Sequence, residues 1–231
     1  MMNLKFLHLI IPLLFFGQFS LAQEVCDHEH NHELHSHSES FDFIPNQGQF
    51  HENVSFQIPI GGANRLFVEK SAFTYLFFSE EEYHAIHDIR LKGTKEELQN
   101  HIVPAHSYKV NFLGAAATSV EGEIKKEYHH NYFLGKNKEN WASEVPIFNQ
   151  VIHNNLYPNI DLLSYSADTN FKYDFIIKKG GNPANIRLEY EGVDKINLKF
   201  GNLMLHTSVG TSRESKPYAY QIINGKEIEI P

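Results

Sequence analysis

The sequence predicts an all-β fold, a mainly antiparallel sandwich or sheet assembly with a small helical insertion near residues 79–102. Short alternations of apolar and polar residues recur from Tyr132 to Pro231. In Phe171-Lys172-Tyr173-Asp174-Phe175-Ile176-Ile177 the odd positions are apolar, the period of a strand with one face on a core. Glycine and asparagine pairs separate these alternations, as hairpin turns require. Aromatic residues make up 13% of the chain, with 18 Phe and 11 Tyr, types that suit a pleated, half-buried surface and can fill a substantial core.

Met1 to Gln23 reads as a secretory leader. Lys5 supplies the positive start, Leu7 to Phe16 the apolar run, and Ser20-Leu21-Ala22 a small-residue cleavage pattern. The apolar run has only about ten residues where a membrane span needs ~20, so cleavage after Ala22 or Gln23 is expected. Cys26 is separated from Ala22 by Gln23-Glu24-Val25, which disfavours a lipid-anchored cysteine. As the sole cysteine it can form no internal disulfide, and stability must come from packing and hydrogen bonds.

Residues 24–40 form an acidic, His-rich tract with almost nothing apolar to bury, which predicts a disordered linker. Its candidate metal ligands are His28, His30, His32, His35 and His37, and several imidazoles could hold Zn, Cu or Ni loosely and adventitiously. His28-Glu29-His30-Asn31-His32 formally matches the H-E-x-x-H pattern of zinc proteases. That chemistry needs a helix beside a substrate cleft, and this tract has no apolar face to build one. A solvated spacer is the preferred reading, and no cofactor is expected.

Residues 41–231 are expected to form a single β-rich domain; without leader and linker, roughly 190 residues remain to fold. Pro45-Asn46-Gln47-Gly48 marks a turn, and strands follow at Val54 to Ile60, Arg65 to Glu69 and Ala72 to Phe78, the first pair closed by Gly61-Gly62-Ala63-Asn64. Ser79 with Glu82 and Thr94 with Glu97 have capping-box spacing, and Leu98 and Ile102 follow at helical spacing. His84, His87, His101 and His106 accompany this excursion without the spacing of a ligand set. Strands resume at Tyr108 to Leu113, Glu123 to Lys126, Tyr132 to Leu134 and Ile147 to Ile152. His129 and His130 point to opposite faces of an extended chain, and Trp141 is expected to fill core volume.

Further strands are expected at Ile186 to Tyr190, Ile196 to Phe200 and Tyr218 to Ile222. A tight hairpin around Gly201-Asn202 would put Phe200 opposite Leu203 and Leu198 opposite Leu205. Around Asn224-Gly225, a three-residue loop through Lys226 would pair Ile222 with Ile228, matching apolar faces and making Lys226 to Ile230 a core strand. That strand would end at Pro231 as an uncovered edge, so truncation of the domain at its C-terminal edge is expected.

Several motifs come in a characteristic order: Phe43-Ile44-Pro45-Asn46-Gln47-Gly48-Gln49, Phe112-Leu113-Gly114-Ala115, Tyr132-Phe133-Leu134-Gly135 before Trp141, Tyr157-Pro158-Asn159-Ile160-Asp161-Leu162, Lys172-Tyr173-Asp174-Phe175 and Pro217-Tyr218-Ala219-Tyr220-Gln221. Together they resemble a β-rich N-terminal domain of unknown function found in large secreted proteins of Bacteroidetes-type bacteria. Those proteins often carry SBBP-type, immunoglobulin-like or PKD repeats and a C-terminal type IX secretion, gliding-motility-associated sorting domain. The resemblance implies export and a surface-associated, modular setting of adhesion or gliding motility. It transfers no catalytic residue. Where the family often has glycine, Asn159 stands here, a residue that tolerates positive φ.

The function expected is therefore that of a non-enzymatic, extracellular and cell-surface-associated β module. Its partners would be downstream domains of the same polypeptide, surface glycans or other surface proteins. A formal charge of −8, one unit more negative once Lys5 is removed with the leader, argues against nucleic acid or anionic membrane as the main partner. Two alternatives are a carbohydrate-binding or carbohydrate-active domain, which would need an exposed aromatic row beside carboxylates, and metal capture by the His tract. Asp161 and Asp174 are the acids within the matching motifs. They could ligate Ca²⁺ or work as an acid/base pair, with hydrogen bonding to turns and strands the plainer role.

Overall fold

Two antiparallel β-sheets face one another across an apolar core in a computed structural model that describes the backbone of residues 7–14 and residues 40–167 and 170–230. Strand β1 (Leu7–Leu14) belongs to the larger sheet. The smaller sheet contains β2 (Ile44–Pro45), β3 (Val54–Pro59), β4 (Arg65–Glu69), β5 (Ala72–Phe78) and β6 (Ala105–Phe112), with β11 (Leu188–Glu191) beside β6. The larger one contains β7 (Val120–Tyr132), β8 (Ala142–Tyr157), β9 (Ile160–Ala167) and β10 (Asn170–Ile177) as a meander. Its other half is β12 (Lys195–Lys199), β13 (Asn202–Thr207) and β14 (Gly210–Glu214), with the hairpin of β15 (Tyr218–Ile223) and β16 (Lys226–Glu229) alongside.

Period-two sequence sets the core. Phe73, Tyr75 and Phe77 of β5, Tyr108, Val110 and Phe112 of β6, and Phe171, Tyr173, Phe175 and Ile177 of β10 all bury their side chains. The Phe73 ring lies 4.9 Å from Phe112 at 82°, 5.5 Å from Phe171 at 84° and 5.6 Å from Tyr173 at 71°. These edge-on contacts place positive ring edges against negative ring faces. Full burial of each Phe stabilises the fold by about 1.5–3 kcal/mol, which makes this aromatic layer the principal join between the sheets. Phe43 adds a backbone join: its N–H donates to Phe148 and its carbonyl accepts from Phe148 N–H.

The helical excursion forms where the caps place it, as α1 (Glu80–Lys92) and α2 (Lys95–Asn100), and neither helix buries a residue. Thr94 and Glu97 complete a reciprocal capping box, whereas Ser79 accepts from Glu82 N–H without a return bond. Ser79 N–H donates to Pro104 O at 2.9 Å, closing the base of the excursion between β5 and β6. The strand expected at Glu123 to Lys126 is part of a longer edge strand, β7, whose pairing with β8 shifts register twice. β7 ends at Tyr132, so the strand expected at Tyr132 to Leu134 does not form, and Phe133 and Leu134 belong to the loop that follows. Charged side chains along such an edge oppose pairing with other chains. Gly122 is required there, because a Cβ would lie 2.5 Å from the Phe148 ring.

Two hairpins differ from expectation. Between β12 and β13 the turn is Phe200-Gly201, so Leu198 faces Leu203 and Ile196 faces Leu205. Both registers keep the apolar residues on one face, so alternation cannot choose between them. Phe200 adopts φ 51° and is 92% exposed, and Leu198 is 73% exposed. Between β15 and β16, Asn224 and Gly225 take positive φ in a two-residue turn that pairs Ile222 with Glu227 and Gln221 with Ile228. The strong preference of Asn-Gly for a type I′ turn outweighs the apolar match. Strand β16 is exposed along its length and is not the core strand expected.

Candidate functional site

On β14, Ser212 and Glu214 lie opposite Leu205 and Leu203, the β13 residues that meet the core, so two polar side chains occupy inward positions. Glu214 is only 4% exposed. The Tyr173 hydroxyl donates to its Oε1 and the Tyr190 hydroxyl to its Oε2, joining β10 and β11 to β14. Burial raises the Glu214 pKa, and the two hydroxyl bonds oppose that rise. Nearby, Tyr108 and Ser212 share a 3.2 Å hydroxyl hydrogen bond, and Tyr75 stacks on Tyr108 at 4.9 Å and 22°. Burial first, then the charge of Glu214 among its neighbours, holds the Tyr75 and Tyr173 hydroxyls protonated.

Glu214 also borders a small cavity of about 270 Å³ with Leu188, Tyr190, Leu203 and Pro217. Ser212 reaches the inner wall of a larger cleft of about 420 Å³. The cleft lies between the Gly61-Gly62 turn, Phe77, the start of α1 and Val209 of the β13–β14 turn, with Glu80 and His84 on it. Its mixed lining suits a small molecule with an apolar body. The Glu214 carboxylate is already engaged at both oxygens, so this arrangement ties strands together.

A second acid faces the other way. Asp174 follows Tyr173 on β10 and therefore points to the outer face of the sheet. Burial pushes its pKa up to about 6, against the Tyr165 hydrogen bond and the Lys172 charge. Tyr165 Oη lies 3.3 Å from both Asp174 oxygens. Asp161 shares this outer face, since it pairs with Ile176 while Asp174 pairs with Leu163. Its carboxylate accepts from Asn155 N–H at 2.8 Å and meets Lys178 Nζ at 2.5 Å. Asp161 and Asp174 thus have the hydrogen-bonded roles expected as the plainer alternative. Glu214 and Asp174 lie on opposite faces of a sheet and cannot act on one bond.

Other singled-out residues do not converge. His28, His30, His32, His35 and His37 lie outside the described residues. His101 Nε2 sits 3.0 Å from Glu82 O, and His106 bridges Gly192 O at 2.7 Å and Ser208 at 3.0 Å. His84 lies 3.8 Å from Glu80. Among the described residues no group of three or more His, Cys, Asp or Glu side chains could hold a metal ion. Trp141 is not a core residue: it is 38% exposed, edge-on to Phe133 at 5.5 Å, with Lys138 Nζ 5.7 Å above its ring. Its indole N–H donates to Gly135 O at 3.3 Å, so it caps the β7–β8 loop. Tyr218 and Tyr220 stack at 5.7 Å and 26°, half-buried, and Tyr218 donates to Glu227 at 2.9 Å.

Sequence reasoning missed Glu214, Ser212, Tyr108 and Tyr190 as a group. It also missed His153, which is buried, 2.9 Å from Glu69 O, and kept neutral because burial lowers its pKa. For His153 a signal existed, because it shares the parity of buried Val151. Thr211-Ser212-Arg213-Glu214 carried none, having no apolar residue to betray an inward face.

Among the described residues no helix is long and apolar enough to cross a membrane. No curated protein and no solved structure matches the chain. One family model does match, across residues 43–231, a span that takes in β2 to β16, with Asp174 and the Glu214 cluster, and leaves out β1. The chain belongs to the family described as a domain of unknown function, DUF7948.

Proposed function

We propose that this chain is an exported, non-enzymatic β module at the head of a modular surface protein of the Bacteroidetes type, in a setting of adhesion or gliding motility. The observation that carries the reading is the order of the sequence: a charged, then apolar, then small-residue leader directly precedes a His-rich tract and a β domain that fills the family match. The domain's buried acids support it, since Glu214, Asp161 and Asp174 are engaged by internal donors. Its working partners would be further domains of the same polypeptide and other surface polypeptides. Fractionation of the native host with N-terminal sequencing tests the reading. A surface-exposed product starting near Gln23 or Glu24 is expected, and an intracellular product that retains Met1 would refute it.

The outer face favours a second reading, carbohydrate binding. The stacked, half-buried Tyr218 and Tyr220 lie on the same face as Asp174 and Tyr165, an aromatic pair beside an acid. Titration with soluble glycans distinguishes the two readings. Saturable binding abolished by Tyr218→Ala and Tyr220→Ala would favour this one.

A further inference from the structure

The larger sheet is continuous only through β1. One edge of β1 pairs antiparallel with β10, from Leu7 opposite Ile177 to Pro12 opposite Lys172. Its other edge pairs first with β15, Leu7 opposite Gln221 to Ile10 opposite Tyr218, and then with β14, Leu13 opposite Glu214 and Leu14 opposite Arg213. β1 therefore lies in a slot walled by β10 on one side and by β15 and β14, end to end, on the other. The join between those two strands falls at Ile11 and Pro12, which neither of them pairs. A proline is tolerated where a ladder bond is absent.

These eight residues belong to the leader, which the proposed export removes. Among the described residues, removal leaves β10 paired only with β9, β15 only with β16, and β14 only with β13. Backbone N–H and C=O groups along both walls then lose their partners, at a cost comparable to lost hydrogen bonds wherever water is excluded. The wall is also apolar on its inner face, because Tyr173, Phe175 and Ile177 of β10 are core residues. Any strand in the slot places alternate residues in their rows, so those residues must be apolar. The outer rows contain Lys172, Asp174 and Ile176 on one wall and Tyr218 and Tyr220 on the other.

We propose that this slot is a strand-acceptor site. Leu7–Leu14 fills it in the unprocessed chain, and after processing it takes an extended, apolar segment of a partner polypeptide, antiparallel to β10. The ligand class is a peptide strand of about eight residues with apolar residues at alternate positions, recognised by backbone hydrogen bonds and the core rows. The inference rests on the export reading above for the removal of the leader.

The test uses the full chain, purified folded with a site-specific protease sequence inserted after Gln23. After cutting, a dye-labelled peptide of sequence Leu-His-Leu-Ile-Ile-Pro-Leu-Leu with a solubilising tail is added, and binding is read by fluorescence anisotropy. One-to-one binding that displaces the cut leader is expected. A control peptide with proline in place of the second leucine and the first isoleucine should bind at least about tenfold more weakly, because it loses ladder donors. Hydrogen exchange provides a second measurement. Those amides of residues 172–177 and 218–221 that face the slot should lose protection when the leader is stripped and regain it with peptide, while the alternate amides that face β9 and β16 keep theirs. Absence of binding together with undiminished protection would overturn the proposal, since the slot would then close on itself. Protection restored by dimerisation of the stripped chain would overturn it as well, by making a second copy the occupant. Retention of Met1 in the native exported protein would count against the export reading alone, because the peptide assay interrogates the slot directly.

Discussion

Adjacent residues of β10 serve two acids on opposite faces of one sheet. Tyr173 points inward and donates to Glu214, whose other oxygen is held by Tyr190. Asp174 points outward and meets the single hydroxyl of Tyr165, with Lys172 nearby. Both acids have raised pKa values for the same first cause, burial. They differ in what replaces the lost water. The inner acid ties three strands together through directed bonds, whereas the outer acid, among the described residues, meets the Tyr165 hydroxyl at both its oxygens and lies on the slot wall. The inner acid should therefore govern stability and the outer one its pH dependence.

The largest break in this comparison is Glu214→Ala. It strands the buried Tyr173 hydroxyl and the half-buried Tyr190 hydroxyl and leaves a void where the side chain was, so a loss of about 3–5 kcal/mol in urea unfolding is expected. Glu214→Gln should cost less than half as much, because the amide still accepts from one hydroxyl and can donate to the other. Equal losses in the two variants would show that shape, and not hydrogen bonding, is what the position supplies. Tyr173→Phe ranks next. It removes one hydroxyl bond to the acid while preserving the ring contacts with Phe73, for an expected loss of about 1.5–3 kcal/mol. Combined with Glu214→Gln, its effect should fall short of the sum, since the two side chains form one network.

The two acids were not equally legible. Asp174 stands inside an alternation whose parity shows which face it takes, and the neighbouring aromatic residues reveal the core side. Glu214 closes a run with no apolar residue, so period two had nothing to register, and its inward face is fixed by the pairing of β14 with β13. The same limit explains the hairpins. Alternation fixes parity, and a shift of two residues preserves it, so the turn at Phe200-Gly201 could not be separated from one at Gly201-Asn202. At Asn224-Gly225 local turn chemistry and apolar matching conflicted, and turn chemistry prevailed on a strand too exposed for burial to compensate. The helical excursion was readable because caps are local, and Asn159 takes the positive φ, 60°, that its place in the turn required.

The smallest expected effect is also the most specific to the outer face. The folded-state pKa of Asp174, about 6, lies above the ordinary aspartate value of 3.8, so the fold prefers the protonated acid. That preference contributes fully below about pH 4 and is lost as pH rises through about 6. Asp174→Asn keeps an acceptor for Tyr165 but cannot ionise, so it should match the parent near pH 4 and exceed its stability above pH 7. A shift of this size corresponds to a few kcal/mol for a fully desolvated group. Screening by the solvent that borders this outer face reduces the expected gain to about 1 kcal/mol. Chemical denaturation of both proteins across pH 4–8 reads the difference directly. The inner acid is constant in both, so its own raised pKa cancels in the comparison. A variant that is less stable at pH 8 would mean that the Asp174 carboxylate is supported by its neighbours more strongly than burial penalises it, and the contrast between the two faces of β10 would then fail.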